Sequence, residues 1–112
     1  IRSDCKLGSG VIIYQRAAIG FDTIIGENVW IDAHVLIGHD VIIDSYTSIM
    51  PSVTIGGNCK IGESCLIGSA ATLYTGIQIG DNSIVGIGTT IIKNISDNTR
   101  IVNFPRNVES EI

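Results

Sequence analysis

The chain has 112 residues, enough for one domain with a modest core, and a net charge of −4. Its seven Lys and Arg are scattered with no basic run, which argues against nucleic-acid binding. No run of about 18 apolar residues exists to cross a membrane as a helix, and the first residues lack a signal-peptide layout.

Read from Ile1, the chain divides into hexads with no insertion. The first residue of each is Ile1, Leu7, Ile13, Ile19, Ile25, Ile31, Ile37, Ile43, Ile49, Ile55, Ile61, Ile67, Leu73, Ile79, Val85 and Ile91. The second is Gly in nine of the sixteen, and the fourth is Asn, Gly or Asp in ten. Those three residue types tolerate the left-handed region that tight turns demand. The fifth is small or β-branched throughout, from Cys5 to Ile95. Strand alternation then turns positions five and one inward and position six outward. A short strand and a turn make one side of a triangle, and three hexads make one coil. The predicted fold is all-β, a parallel β-helix of about five coils.

The unbroken hexads end at Ser96, so the helix domain is predicted over 1–96, with 97–112 a tail that caps its last coil. The repeat begins in frame at Ile1, not at Met, and shows no N-terminal cap. A further domain is therefore expected upstream. Cys5, Cys59 and Cys65 all fall at inward positions, which predicts reduced core thiols and a cytoplasmic protein.

Turn residues stack in three columns, each step in a column spanning three hexads. The first edge carries Phe21–Asp22, His39–Asp40, Gly57–Asn58, Thr75–Gly76 and Lys93–Asn94. The second carries Glu27–Asn28, Ser45–Tyr46, Glu63–Ser64 and Asp81–Asn82. The third carries Gln15–Arg16, Ala33–His34, Pro51–Ser52, Ser69–Ala70 and Ile87–Gly88. Both histidines therefore sit on turns, either solvated or at work. Within one chain they occupy different corners and cannot meet. They meet only if the third edge of one subunit faces the first edge of another. The outward positions Ile12, Trp30, Ser48, Leu66 and Ile84 form an apolar strip suited to such an interface, and threefold packing would repeat one groove three times. Lys93 lies three coils above His39, about 14 Å at strand spacing.

The stretch from Ile25 to Asn98, with His39–Asp40 followed by an uninterrupted run to Pro51, resembles the hexapeptide-repeat acyltransferases. The branch is that of sialic-acid O-acetyltransferases and nucleotide-aminosugar N-acetyltransferases. The resemblance implies a left-handed helix, a hand that departs from the usual crossover rule. It also implies a homotrimer that moves an acetyl group from acetyl-CoA to a sugar amine or hydroxyl, with no metal. His39 would be the general base and Asp40 would polarise its ring. Ser48 would offer its main-chain N–H to the thioester oxygen. Gly57, Ser69 and Ile87 would line the pantetheine channel, with Lys93 toward a phosphate of CoA. His34, on the facing edge, would contact the sugar. Relatives often end in a Gly-Asn-Pro-Ala-Lys-like segment where this chain has VNFPRN, so Arg106 or Arg100 would serve a phosphate or be merely solvated. The family's N-terminal nucleotide-binding domain is not in this sequence, so the acceptor stays unspecified.

Two other functions compete. A γ-carbonic-anhydrase-like zinc site also spaces two histidines by five residues, but it needs a third. The column neighbours Arg16, Phe21, Ser52 and Gly57 supply none. A non-catalytic trimerisation or scaffold module needs only the helix.

Overall fold

Positions six and one of successive hexads pair with their equivalents one coil away, and the strands are accordingly two residues long. The computed structural model describes residues 4–103. The first face stacks Lys6–Leu7, Ile24–Ile25, Ile42–Ile43, Lys60–Ile61 and Gln78–Ile79. The second stacks Ile12–Ile13, Trp30–Ile31, Ser48–Ile49, Leu66–Ile67, Ile84–Val85 and Arg100–Ile101. The third stacks Ala18–Ile19, Leu36–Ile37, Thr54–Ile55, Thr72–Leu73 and Thr90–Ile91. All pairings are parallel and the chain visits the faces in turn. The result is a left-handed parallel β-helix of about five coils, with no helix among the described residues. None of them forms a helix long and apolar enough to cross a membrane.

The turns explain the fourth-position composition. Every fourth-position residue from Gly10 to Gly88 has φ between 53° and 79°. For a side chain bearing Cβ this region is costly. From Asn28 onward each such residue is held by a bond from its N–H to the carbonyl one coil below, as in Asp40 N to Phe21 O and Asn58 N to His39 O, both 2.9 Å. At the second position, Gly38 shows why glycine recurs. A Cβ there would lie 2.7 Å from the Gly57 nitrogen in the next coil.

The core is a set of ladders. Ile25, Ile43 and Ile61 on the first face, with Ile31, Ile49 and Ile67 on the second, are almost wholly buried. Each such side chain contributes about 1.5–3 kcal/mol relative to exposure. Polar fifth positions also point inward, and most meet a second-position carbonyl of the next coil. Thr47 Oγ1 donates to Gly62 O at 2.7 Å and accepts from Cys65 N at 3.0 Å. Cys59 Sγ reaches Tyr74 O and Cys65 Sγ reaches Gly80 O, both at 3.1 Å. Thr89 Oγ1 has no partner among the described residues.

The hexad frame holds to Ile91 and then contracts. Ile91 pairs with Leu73, a full three hexads back. Ile95 instead bridges to Ile79, and Ile101 pairs with Val85, each separation falling two positions short of three hexads. Two residues are thus lost from the first-edge turn after Ile91. Ile95 fills a first position, not the fifth that the frame assigned it. Residues 97–101 remain in the helix: Asp97–Asn98 make a second-edge turn, with Asn98 at φ 58°, and Arg100–Ile101 extend the second face. The predicted boundary at 96/97 therefore falls inside a coil. Residues 104–112, including Pro105 and Arg106, lie outside the described residues.

Candidate functional site

His39 occupies the third position of a first-edge turn, directly after Gly38. Asp40, at φ 54°, folds its carboxylate back onto the ring. His39 Nδ1 lies 2.8 Å from Asp40 Oδ2, and both side chains are 47% exposed. A carboxylate accepts only, so Nδ1 carries the donated proton in the neutral ring and Nε2 keeps its lone pair.

The ring is bounded along the helix axis. One coil below, Phe21 stacks on it with centroids 5.0 Å apart and planes inclined by 11°. One coil above is Gly57, where a Cβ would sit 2.7 Å from Nε2. Gly57 N–H donates to nothing among the described residues, although its carbonyl accepts from Gly76 N at 2.9 Å. A lone pair and a main-chain donor therefore belong to successive corners of the first edge, and a Cβ at Gly76 in the next corner would meet nothing within 4 Å.

The remaining expected site residues are dispersed. His34 is on the third edge at φ 60° and exposed, with Ser69 and Ile87 in the same column. The third face separates that column from His39. Lys93 is exposed within the contracted turn and not in a regular corner. Ser48 requires a correction. It lies on the second face, and its N–H already donates to Cys65 O at 2.9 Å in the ladder. It cannot offer that donor to a thioester. Phe21 was visible in the first-edge column, and its aromatic ring directly below a histidine was the signal for a role.

Two larger cavities lie away from His39. One of about 490 Å³ is apolar and is lined by Leu66, Ile84, Ile87, Arg100 and Val102. The other, about 530 Å³, is polar and is lined by Lys60, Gln78, Asp81, Asn94 and Asp97 beside the contraction. Among the described residues of one chain, no three of His, Cys, Asp and Glu are grouped to hold a metal ion. The Cys59 and Cys65 thiols are free and buried, and burial pushes both up from the ordinary thiol range. For Cys65 the negative charge of Asp81 adds to that, against hydrogen bonds that lower it. Such thiols stay protonated and serve the core.

A family model described as GMPPB C-terminal domain matches residues 1–111. No curated protein matches the sequence at a significant level. Solved structures do match. A histidine-to-alanine variant of GDP-perosamine N-acetyl transferase from Caulobacter crescentus, in complex with CoA and GDP-perosamine, is 24% identical with a TM-score of 0.90. That match covers 98% of this chain and 52% of the other. The acetyltransferase domain of PglB from Neisseria gonorrhoeae, in complex with acetyl coenzyme A, is 23% identical with a TM-score of 0.87, over 88% and 48% of the two chains. UDP-N-acetylglucosamine acyltransferase from Francisella novicida is 24% identical with a TM-score of 0.76, over 89% and 44%. The chain spans about half the length of these structures. At such identities the likeness establishes the β-helix fold.

Proposed function

We propose that the chain, which belongs to the GMPPB C-terminal domain family, is an acetyl-CoA-dependent acyltransferase. Its acceptor would be the amine or hydroxyl of a sugar, with a nucleotide-linked amino sugar as first choice. The observation that carries this reading is on the first edge. His39 is held at Nδ1 with Nε2 open, and Gly57, whose N–H is unengaged among the described residues, is its neighbour one coil above. General-base transfer needs the first group, and charge stabilisation at the thioester oxygen needs the second. Three structures of the same fold bear names of acetyl or acyl transferases, two of them holding CoA or acetyl-CoA.

In this reading the acceptor nitrogen or oxygen attacks the thioester carbonyl as Nε2 takes its proton. Negative charge gathers on the carbonyl oxygen, where Gly57 N–H, in place of Ser48, donates to it. The tetrahedral carbon collapses, the carbon–sulfur bond breaks, and the imidazolium returns the proton to the departing thiolate. Asp40 keeps the ring in the correct tautomer throughout and supports its charged form.

A second copy in a homotrimer would complete the site. The third edge of one subunit, with His34, Ser69 and Ile87, would face the first edge of its neighbour. The outward strip of the second face supports association, because Ile12, Leu66 and Ile84 are 39–45% exposed. The apolar cavity at Ile87 suits a pantetheine arm, with Arg100 at its rim for a phosphate. Lys93 remains a second candidate for that phosphate.

Calorimetric titration with CoA, alongside light scattering and an acetyl-transfer assay over a panel of amino sugars and sugar nucleotides, tests the proposal. One CoA per subunit on a trimer, with transfer abolished in His39→Ala, is the expected result. A well-formed trimer that binds no CoA and transfers nothing would overturn it in favour of a trimerisation module.

A further inference from the structure

We propose that Phe21 is the positioning residue for His39, the floor that fixes the imidazole for proton transfer. The proposal deepens the reading of His39 as general base and rests on it for its kinetic consequences. Its structural part stands alone.

The His39–Asp40 pair cannot fix the ring by itself. It is a single hydrogen bond between groups 47% exposed, on a turn, with water competing for both partners. A ring held only at Nδ1 can swing about that bond, and Nε2 would then sweep an arc. Phe21 removes this freedom. It sits three hexads earlier, in the equivalent third position one coil below, and its ring lies 5.0 Å from the imidazole at 11°. Near-parallel aromatic rings at this separation attract and resist tilting. At the other end, Gly57 leaves just enough room for Nε2. The imidazole is therefore held on one face by Phe21 and at Nδ1 by Asp40, which leaves Nε2 open.

The residue is not explained by the core. Phe21 is 43% exposed at a turn position where the hexads otherwise place small, polar or charged residues, Ile87 apart. A large ring kept half in water directly below a histidine, and stacked on it, fits a supporting task. The phenyl ring has no proton to give or take, so its effect on transfer passes through His39.

The test uses imidazole nitrogen NMR of the whole chain with the kinetics. The two histidines are assigned with His34→Gln. In the spectrum of the neutral ring, wild-type His39 should show the Nδ1–H tautomer. Phe21→Ala should give a mixture of tautomers and a more mobile ring with the fold intact. Its kcat should fall about 10–100-fold with an unchanged KM for acetyl-CoA. Phe21→Tyr should restore both readouts, and Phe21→Leu should restore neither. A Phe21→Ala ring with wild-type tautomer and order overturns the proposal whatever the rates. A wild-type chain that transfers to no acceptor overturns the transferase reading instead, and the ring measurement then decides the role of Phe21 alone.

Discussion

Gly57 and His39 share a space that admits only one side chain. A Cβ on Gly57 would lie 2.7 Å from His39 Nε2 and 3.0 Å from Cδ2. Gly57 does not take a positive φ, so the backbone itself accepts alanine. The atom in the way is the far end of an exposed side chain, which can swing out. Gly57→Ala should therefore cost chemistry and not stability. We expect thermal unfolding close to wild type and transfer reduced about 100-fold, the scale of an ångström-sized misplacement. A variant that melts normally and works normally would remove Nε2 from the mechanism.

The base and its partner should separate by magnitude. His39→Ala removes the proton acceptor, and transfer should fall about 10²–10⁴-fold while thermal unfolding stays close to wild type. Asp40→Asn keeps an oxygen that can accept from Nδ1–H but loses the charge that supports the imidazolium. Its rate should fall less than that of His39→Ala. Equal losses in the two variants would mean that Asp40 acts on the substrate directly. Steady-state rates at saturating acetyl-CoA make the comparison.

Much of this was legible in the chain because two periods coincide in it. The inward first and fifth positions follow from strand alternation, and the columns three hexads apart follow from the triangle. The sequence alone therefore assigns both histidines to corners. The contraction after Ile91 was hidden by chemistry. Ile95 satisfies the fifth position as a β-branched residue and the first as an aliphatic, so either frame reads well until the strand pairs. Ser48 failed for a different reason. A residue inside a strand spends its N–H on the ladder, and only corner residues such as Gly57 have a donor to spare. Family resemblance placed the donor half a coil away from where hydrogen bonding leaves one free. Phe21 went unassigned because a column states which residues are neighbours, not whether their rings lie parallel.

The core thiols give a prediction in alkaline solution. Burial raises Cys59 and Cys65 above the ordinary value of 9.0. Above that pH the unfolded chain releases thiol protons that the folded chain keeps. The folded state then binds more protons, so stability falls as pH rises. Urea midpoints should hold level below about pH 8 and decline toward pH 10. A variant with Cys59→Val and Cys65→Val should decline less steeply. Identical slopes would show that other groups govern the alkaline limit. Below pH 8 both thiols should also resist alkylation until the chain unfolds.

Arg100 and Lys93 offer a direct comparison as candidate phosphate partners. The frame placed Lys93 in a regular first-edge corner, but that corner is the one that lost two residues. Arg100 instead lines the apolar cavity with Ile87 and Val102. If the pantetheine arm lies in that cavity, Arg100 is the cation that the phosphates reach. An exposed pair of this kind contributes about 1 kcal/mol, roughly fivefold in Kd. Arg100→Ala should weaken CoA by about that factor and leave pantetheine, which has no phosphate, unaffected. Lys93→Ala should have the smaller effect. Calorimetry with both ligands separates the cases, and a loss for Lys93→Ala alone would move the phosphate site back to the contracted turn.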